Sequence, residues 1–281
     1  MKISDLLARD GITVSCELFP PKQFEKLAEV KDVVARTAAL SPSFISCTYG
    51  ATGGTSEYTI DIAKEINARG VPALAHLTCV SSTREKVAEV IEGFSQNGIE
   101  NVLALRGDIP PTGRIAFDYA HAADLVEELK ARGDFCIGGA CYPEGHPESD
   151  CMEKDLYYMR VKYEKGVEFF TSQLFFDNSA FLSFCESARG IGIGAPLIAG
   201  IMPVTNAVSI ERMIRLSNCR VTPGLAALLQ KYGGTPDMGK AGIEFSTKQI
   251  NALIKEGVKH IHIYTMNRPE IAQAIMEGIE R

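Results

Sequence analysis

Several kinds of segment are missing from this 281-residue sequence, and each absence removes a class of function. No apolar run reaches the roughly 18 residues of a membrane span, and "MKISDLLARDGI" at the start has no apolar core of signal-peptide length. Basic residues are not in excess: net charge is -6 and the pI about 5.5, so there is no electrostatic footprint for nucleic acid or an anionic membrane. Cysteines at 16, 47, 79, 136, 141, 151, 185 and 219 form no CxxC pair and no zinc-like spacing. Several fall inside predicted strands, where a free thiol acts as a small buried hydrophobe, and a reducing cytoplasmic compartment is expected. No GxGxxG follows a strand; "GIGIG" (190–194) precedes one instead and reads as a helix-ending loop. There is no GxSxG elbow for acyl transfer, and no lysine at a strand end for Schiff-base chemistry.

What is present is a repeated alternation. Short β-rich runs occur at 12–19, 43–50, 72–79, 101–108, 135–142, 169–176, 196–203 and 260–267. Amphipathic stretches such as "FEKLAEVKDVVARTAAL" (24–40), "TREKVAEVIEGFSQNG" (83–98) and "HAADLVEELKARG" (121–133) lie between them. Strand–helix alternation implies right-handed βαβ units and a parallel sheet. Eight such units predict a closed (β/α)8 barrel, an α/β fold expected to run as a single domain over 1–281. The gap between the seventh and eighth strands is about twice the usual, so one extra helix is expected around "VTPGLAALLQKYG" (221–233).

Polar residues are placed unevenly on these strands. Glu17, Thr48, His76, Arg106, Asp108, Tyr142 and Gln173 all fall in the C-terminal half of a strand or just beyond it. In a (β/α)8 barrel that end carries the active site, because the βα loops converge there. Singly, each has a packing explanation; together at one end they point to a functional mouth. His260 and His262, two apart in "HIHIY", share a strand face and raise the question of a metal pair. No carboxylate companion is evident, and packing in the core or at the bottom of the barrel is the expectation. One stretch stands out: "SCELFPPK" (15–22) puts a carboxylate inside a strand just before two prolines end it. An ionised Glu is costly to bury unpaired and cheap on a solvated face. From the stretch alone both placements stay open.

"CELFPPK", "SCTYGA", "AHLTC", "ALRGDIPP", "CYPEGHPE", "SQLFFD", "GIMPVTN" and "GVKHIHIYTMNR" resemble, in order and spacing, the methylenetetrahydrofolate reductase family, from about residue 12 to about residue 275. The resemblance implies a (β/α)8 flavoprotein that reduces 5,10-methylenetetrahydrofolate to 5-methyltetrahydrofolate through FAD by ping-pong hydride transfer, serving one-carbon and methionine metabolism. NADH, NADPH or a reduced protein would supply the electrons, and a homo-oligomer is expected. Glu17 matches the general acid that helps open the methylene bridge, and Asp108 the carboxylate beside flavin and pterin. Thr48, Tyr49, Ala51, His76, Arg106, Gly107, Asp108, Tyr119, Ala120, Tyr142, His146, Asp155 and Lys162 match FAD-contacting positions. Arg106 and Lys162 suit the pyrophosphate, since the chain has no Gly-rich phosphate loop. Gln173 and Arg268 match folate-contacting positions.

The chain departs from the family pattern at Tyr158 and Val161, where an Asn and a basic residue are usual, and at Ser209 and Met213, where an amide and a stacking aromatic occur. Two other classes compete: a folate methyltransferase barrel without FAD, and a non-catalytic folate- or flavin-binding subunit. The first leaves "ALRGD" and "YPEGHPE" without a purpose; the second leaves the joint presence of Glu17 and Asp108 unexplained.

Overall fold

A computed structural model describes residues 1–21, 23–49, 56–109, 113, 116–217 and 219–280. The chain opens with the short helix α1 (Ile3–Leu7), followed by β1 (Thr13–Leu18), α2 (Leu27–Ala38), β2 (Ile45–Cys47), α3 (Ser56–Ala68), β3 (Ala73–Thr78) and α4 (Arg84–Gln96). Next come β4 (Asn101–Leu105), α5 (Ala122–Arg132), β5 (Cys136–Cys141), α6 (Met152–Glu164), β6 (Phe169–Ser172), α7 (Asn178–Gly190) and β7 (Leu197–Ile201). Three helices, α8 (Ala207–Ser217), α9 (Pro223–Tyr232) and α10 (Met238–Lys255), then precede β8 (His260–Tyr264) and α11 (Pro269–Glu277). The strands close in sequence order into a parallel barrel, β1 pairing with both β2 and β8. The expected (β/α)8 fold is what forms.

The strands form because their residues suit burial on both faces. β1, β2, β5 and β6 are buried at all or nearly all positions, the pattern of a parallel sheet sandwiched between helices and a filled interior. At their starts, Phe44, Leu74, Leu103, Cys136, Phe169 and Ile198 pack with Ile3 and Leu7 of α1, which plugs the floor. Asn101 fixes that plug: its Oδ1 accepts from the Ile3 backbone N–H at 2.8 Å, and its Nδ2 donates to the Ala73 carbonyl at 3.1 Å. α4 and α9 start where Thr83 and Thr222 cap them by accepting from Lys86 and Leu225. Pro223 occupies the first turn of α9, where a missing N–H costs nothing.

Two outcomes differ from expectation. The β7–β8 gap holds three helices, two beyond the usual one, with α9 at the expected extra position. The strands are also shorter at their C-terminal ends than the β-rich runs, so Thr48, Arg106, Asp108, Tyr142 and Gln173 stand on loops just past them. Gly107 shows why for β4. Its φ is +86°, a region L side chains avoid, and a Cβ there would lie 3.0 Å from Thr78 Cβ. This turn lets the Arg106 carbonyl accept from Cys79 and Val80 at 3.1 and 2.8 Å. Among the described residues, no helix is long and apolar enough to cross a membrane.

Candidate active site

The C-terminal ends of the strands surround a cavity of about 760 Å³, within the about 300–1,000 Å³ of small-molecule sites. Glu17, Thr48, Tyr49, His76, Arg106, Gly107, Asp108, Tyr142, His146, Asp155, Lys162 and Gln173 line it together. Residues from six strand ends thus meet in one place.

Glu17 sits at the inner end of this cavity, 8% exposed. Its backbone is clamped from the other end of the chain. Thr265 Oγ1 donates to the Glu17 carbonyl oxygen at 2.6 Å. Two residues on, Asn267 pairs with Phe19 as a backbone would: Phe19 N donates to Oδ1 at 2.8 Å, and Nδ2 donates to the Phe19 carbonyl at 3.0 Å. Met266 and Asn267 both adopt positive φ, 54° and 57°, to bring that amide across. "TMNR" is therefore the strap that holds "CELFPP" in place.

The Glu17 carboxylate lies between two imidazoles, Oε2 being 3.7 Å from His76 Nε2 and 3.8 Å from His262 Nε2. His262 is 2% exposed, and its Nδ1 lies 2.7 Å from Ser15 Oγ, which itself donates to the Ile261 carbonyl. In the neutral ring Nδ1 is then the protonated nitrogen, and Nε2 offers its lone pair towards Ser46 Oγ at 3.3 Å. The expectation that His262 merely packs at the bottom of the barrel is corrected: it lines the cavity, and the missing carboxylate companion is Glu17 on the neighbouring strand. His260, at the start of β8, instead pairs with Thr13 at 3.0 Å. Burial pushes the His76 imidazole down to about 4, against the pull of the Glu17 carboxylate, so the ring is neutral at pH 7.

On the opposite wall, Arg106 forms a bidentate pair with Glu148, Nη1 to Oε2 at 2.6 Å and Nη2 to Oε1 at 2.9 Å. The "YPEGHPES" loop carrying Glu148 is itself tied down. Asp155 Oδ2 accepts from the His146 backbone at 2.6 Å, and His146 Nδ1 accepts from the Glu148 backbone at 3.0 Å. Tyr142 packs edge-on against His146, and burial raises its phenol to about 12. Lys162 reaches in from α6, donates to the Ala140 carbonyl at 2.6 Å and lies over the Phe170 ring; burial lowers its ammonium to about 8. At the inner end Tyr264 donates to the Ser172 carbonyl at 2.5 Å, and burial holds its phenol well above 10.0.

Among the described residues, three buried polar atoms lining the cavity have no hydrogen-bond partner: His76 Nε2, Ser81 Oγ and Thr171 Oγ1. Such atoms are costly unless a ligand or water meets them. They come from β3, the loop after it and β6, so the lining suits a ligand rich in donors and acceptors, as the isoalloxazine of FAD is. Among the described residues no three His, Cys, Asp or Glu side chains gather as a metal site.

The remaining expected residues are placed elsewhere. Tyr119 does not line the cavity; it is buried beneath the Arg84 guanidinium, 5.1 Å from its ring centroid. Ala120 donates its N–H to Asp124 at the start of α5 and is also outside. Arg268 is turned outward to Glu270 at 3.1 Å by the positive-φ residues before it. Ala51 lies outside the described residues. Of the departures, Tyr158 lines the cavity beside His121, with centroids 5.3 Å apart, and Met213 lines it too; Val161 does not. Residues that sequence reading missed are His262, Tyr264, Thr171 and Glu148. The first three obey the period-two alternation that also points Glu17 and Gln173 inward, which is the signal that would have found them.

Comparison with known proteins agrees with this geometry. The family model described as methylenetetrahydrofolate reductase matches residues 2–280. The 5,10-methylenetetrahydrofolate reductase of Pectobacterium carotovorum is 36% identical over 266 residues, covering 94% of this chain and 89% of that protein. The enzyme of the same name from Escherichia coli K12 is 35% identical over 267 residues, with the same coverage. A probable methylenetetrahydrofolate reductase (NADH) of Oryza sativa is 36% identical over 97% of this chain, which spans 49% of the plant protein. In fold, the chain is similar to an uncharacterized Clostridium thermocellum protein that binds two copies of 5-methyl-5,6,7,8-tetrahydrofolic acid. Their TM-score is 0.74 at 15% identity, covering 99% of this chain and 98% of that one. With a matching family model over nearly the whole chain and relatives above one-third identity, this protein belongs to the methylenetetrahydrofolate reductase family and is an oxidoreductase of that type.

Proposed function

We propose that the chain, acting as one catalytic domain over 1–281, reduces 5,10-methylenetetrahydrofolate to 5-methyltetrahydrofolate with FAD as its resident redox group. NADH, NADPH or a reduced protein donor would use the same cavity in a separate half-reaction. FAD, when bound, supplies the hydride; the protein's part is to hold the reactants, exclude water and deliver a proton. The lining residues Thr48, Tyr49, His76, Arg106, Gly107, Asp108, Tyr142, His146, Asp155 and Lys162 are the proposed FAD contacts. His76 Nε2, Ser81 Oγ and Thr171 Oγ1 would regain partners from the ligand.

The observation that carries the reading is the placement of Glu17. Its side chain is buried and shares the cavity with Asp108 and Gln173, and its backbone is held by the Thr265–Asn267 strap. Opening the methylene bridge requires protonation of the departing nitrogen, and Glu17 is the proposed donor. Asp108, at the exposed rim, places negative charge where a cationic iminium form of the substrate gains from it. Gln173 Oε1 accepts from the Leu174 backbone at 2.9 Å, which leaves its amide nitrogen for the pterin. Arg268, beyond the end of β8, suits the outer part of the folate.

Glu17→Gln keeps the shape and removes the proton. Stopped-flow reduction of the flavin by its donor is expected to stay within a few-fold of wild type. Reoxidation by methylenetetrahydrofolate is expected to fall about 10²-fold or more, the size of a general-acid contribution. Equal loss in both half-reactions would make Glu17 a structural residue and overturn the assignment.

A further inference from the structure

The guanidinium best suited to an anionic ligand is already occupied. Arg106 spends both terminal nitrogens on Glu148 and its Nε on the Gly107 carbonyl at 3.2 Å. A carboxylate in this fork takes the same planar, two-point geometry that a phosphate takes. Glu148 also lines the cavity, so a phosphate reaching Arg106 meets a negative charge already in place. A second lining cation, Lys154, is likewise paired, with Asp150 at 2.7 Å. Among the described lining residues, Lys162 is the cation without an ion pair, and its ammonium donates to a backbone carbonyl instead.

The Glu148 side chain is free to leave. It is 52% exposed, while its backbone is fixed by His146 and, through His146, by Asp155. A swing of the side chain therefore breaks two charge-assisted hydrogen bonds without disturbing the loop. A phosphate that takes the place of Glu148 offers the guanidinium the same two-point geometry, so the two hydrogen bonds given up are remade with the incoming anion.

We propose that Glu148 is an exchangeable counter-ion: it holds Arg106 in the ligand-free protein and yields it to a phosphate-bearing ligand, lowering the cavity's affinity for such ligands. For FAD this rests on the reading given above; the ligand class, a phosphate or pyrophosphate, rests on the guanidinium alone. Glu148 then sets how tightly the cofactor is held and how readily it exchanges.

The test uses the flavin-free full chain, titrated with FAD and, separately, with riboflavin, which has the ring without the phosphates. In Glu148→Gln, the Kd for FAD is expected to fall about two- to fivefold, the range that an exposed charge pair controls. Riboflavin affinity is expected to be unchanged. Weaker or unchanged FAD binding would overturn the proposal, because Glu148 would then support the guanidinium rather than compete for it. Equal tightening of both flavins would also overturn it, since the effect would lie at the ring. A wild-type chain that binds neither flavin would defeat the FAD reading instead. In that case calorimetry with inorganic pyrophosphate decides the counter-ion question alone: tighter binding by Glu148→Gln supports it, and equal or weaker binding refutes it.

Discussion

Lys162 makes a quantitative test possible, because the structure sets a stability cost against a proposed binding role. Its ammonium is buried on the barrel wall with one backbone carbonyl and an aromatic face for company. Burial lowers it from 10.5 to about 8, which corresponds to about 3 kcal/mol against the charged form. Below pH 8 the lysine is charged in folded and unfolded chains alike, and the folded state bears the whole cost. Between pH 8 and 10.5 the unfolded chain holds more protons than the folded one, so stability rises with pH through this group.

Lys162→Met keeps length and flexibility and removes the charge. Losing the charge-assisted hydrogen bond to Ala140 offsets about 2 kcal/mol of the gain. The flavin-free variant is therefore expected to be about 1 kcal/mol more stable than wild type at pH 7 by urea unfolding. That advantage should shrink steadily between pH 8 and 10. Other groups titrate in this range too, but they are common to both chains, so the difference isolates Lys162. A difference that is the same at pH 7 and pH 10, or a variant less stable at pH 7, would refute the reasoning. The same variant should retain FAD less well, since it lacks the one lining cation without an ion pair among the described residues.

Two further perturbations probe the frame of the site. Asn267→Ala removes both hydrogen bonds to Phe19 and leaves an alanine at φ 57°; it should cost about 1–3 kcal/mol in denaturant and slow reoxidation by folate more than reduction by the donor, and equal slowing of both half-reactions relative to wild type would detach the strap from Glu17. Gly107→Ala puts a Cβ 3.0 Å from Thr78 at φ +86°; a loss of at least about 1 kcal/mol is expected in thermal or chemical unfolding, and an unchanged midpoint would mean that the turn relaxes without strain.

Period and composition made the barrel readable. Each strand lies in a compact β-rich run, and intervening helices such as α2, α4 and α5 are long and amphipathic, so both kinds of element announce themselves locally. α1 escaped because five residues are too few to show a helical period. The second additional helix in the β7–β8 gap escaped because length alone tells how much chain is present, not how it is divided. The strand ends were overrun because "ALRGD" stays β-like in composition while a positive-φ glycine has already turned the backbone. Most cavity residues were legible since they lie near strand ends, where topology alone brings them together. Arg268 and Tyr119 were not, because orientation past a strand end depends on loop dihedrals and partners such as Glu270 and Arg84.

The part of the site that local patterns hide most completely is the one that closure of the barrel creates. Ser15 and His262 stand 247 positions apart, and no window of sequence holds both. In the closed sheet, β1 and β8 are neighbours in a register that sets Ser15 against His262 and Glu17 against Tyr264. Inward-facing side chains on adjacent parallel strands then form one polar patch, with Ser46 added from β2. The strap repeats this logic beyond the strands, as Thr265 and Asn267 continue the β8 edge along Glu17 and Phe19. "SCELF" and "HIHIYTMN" are thus two halves of one local structure. Without the pairing of the barrel's first and last strands, Glu17 would lose its strap, its neighbour His262 and the register that sets both.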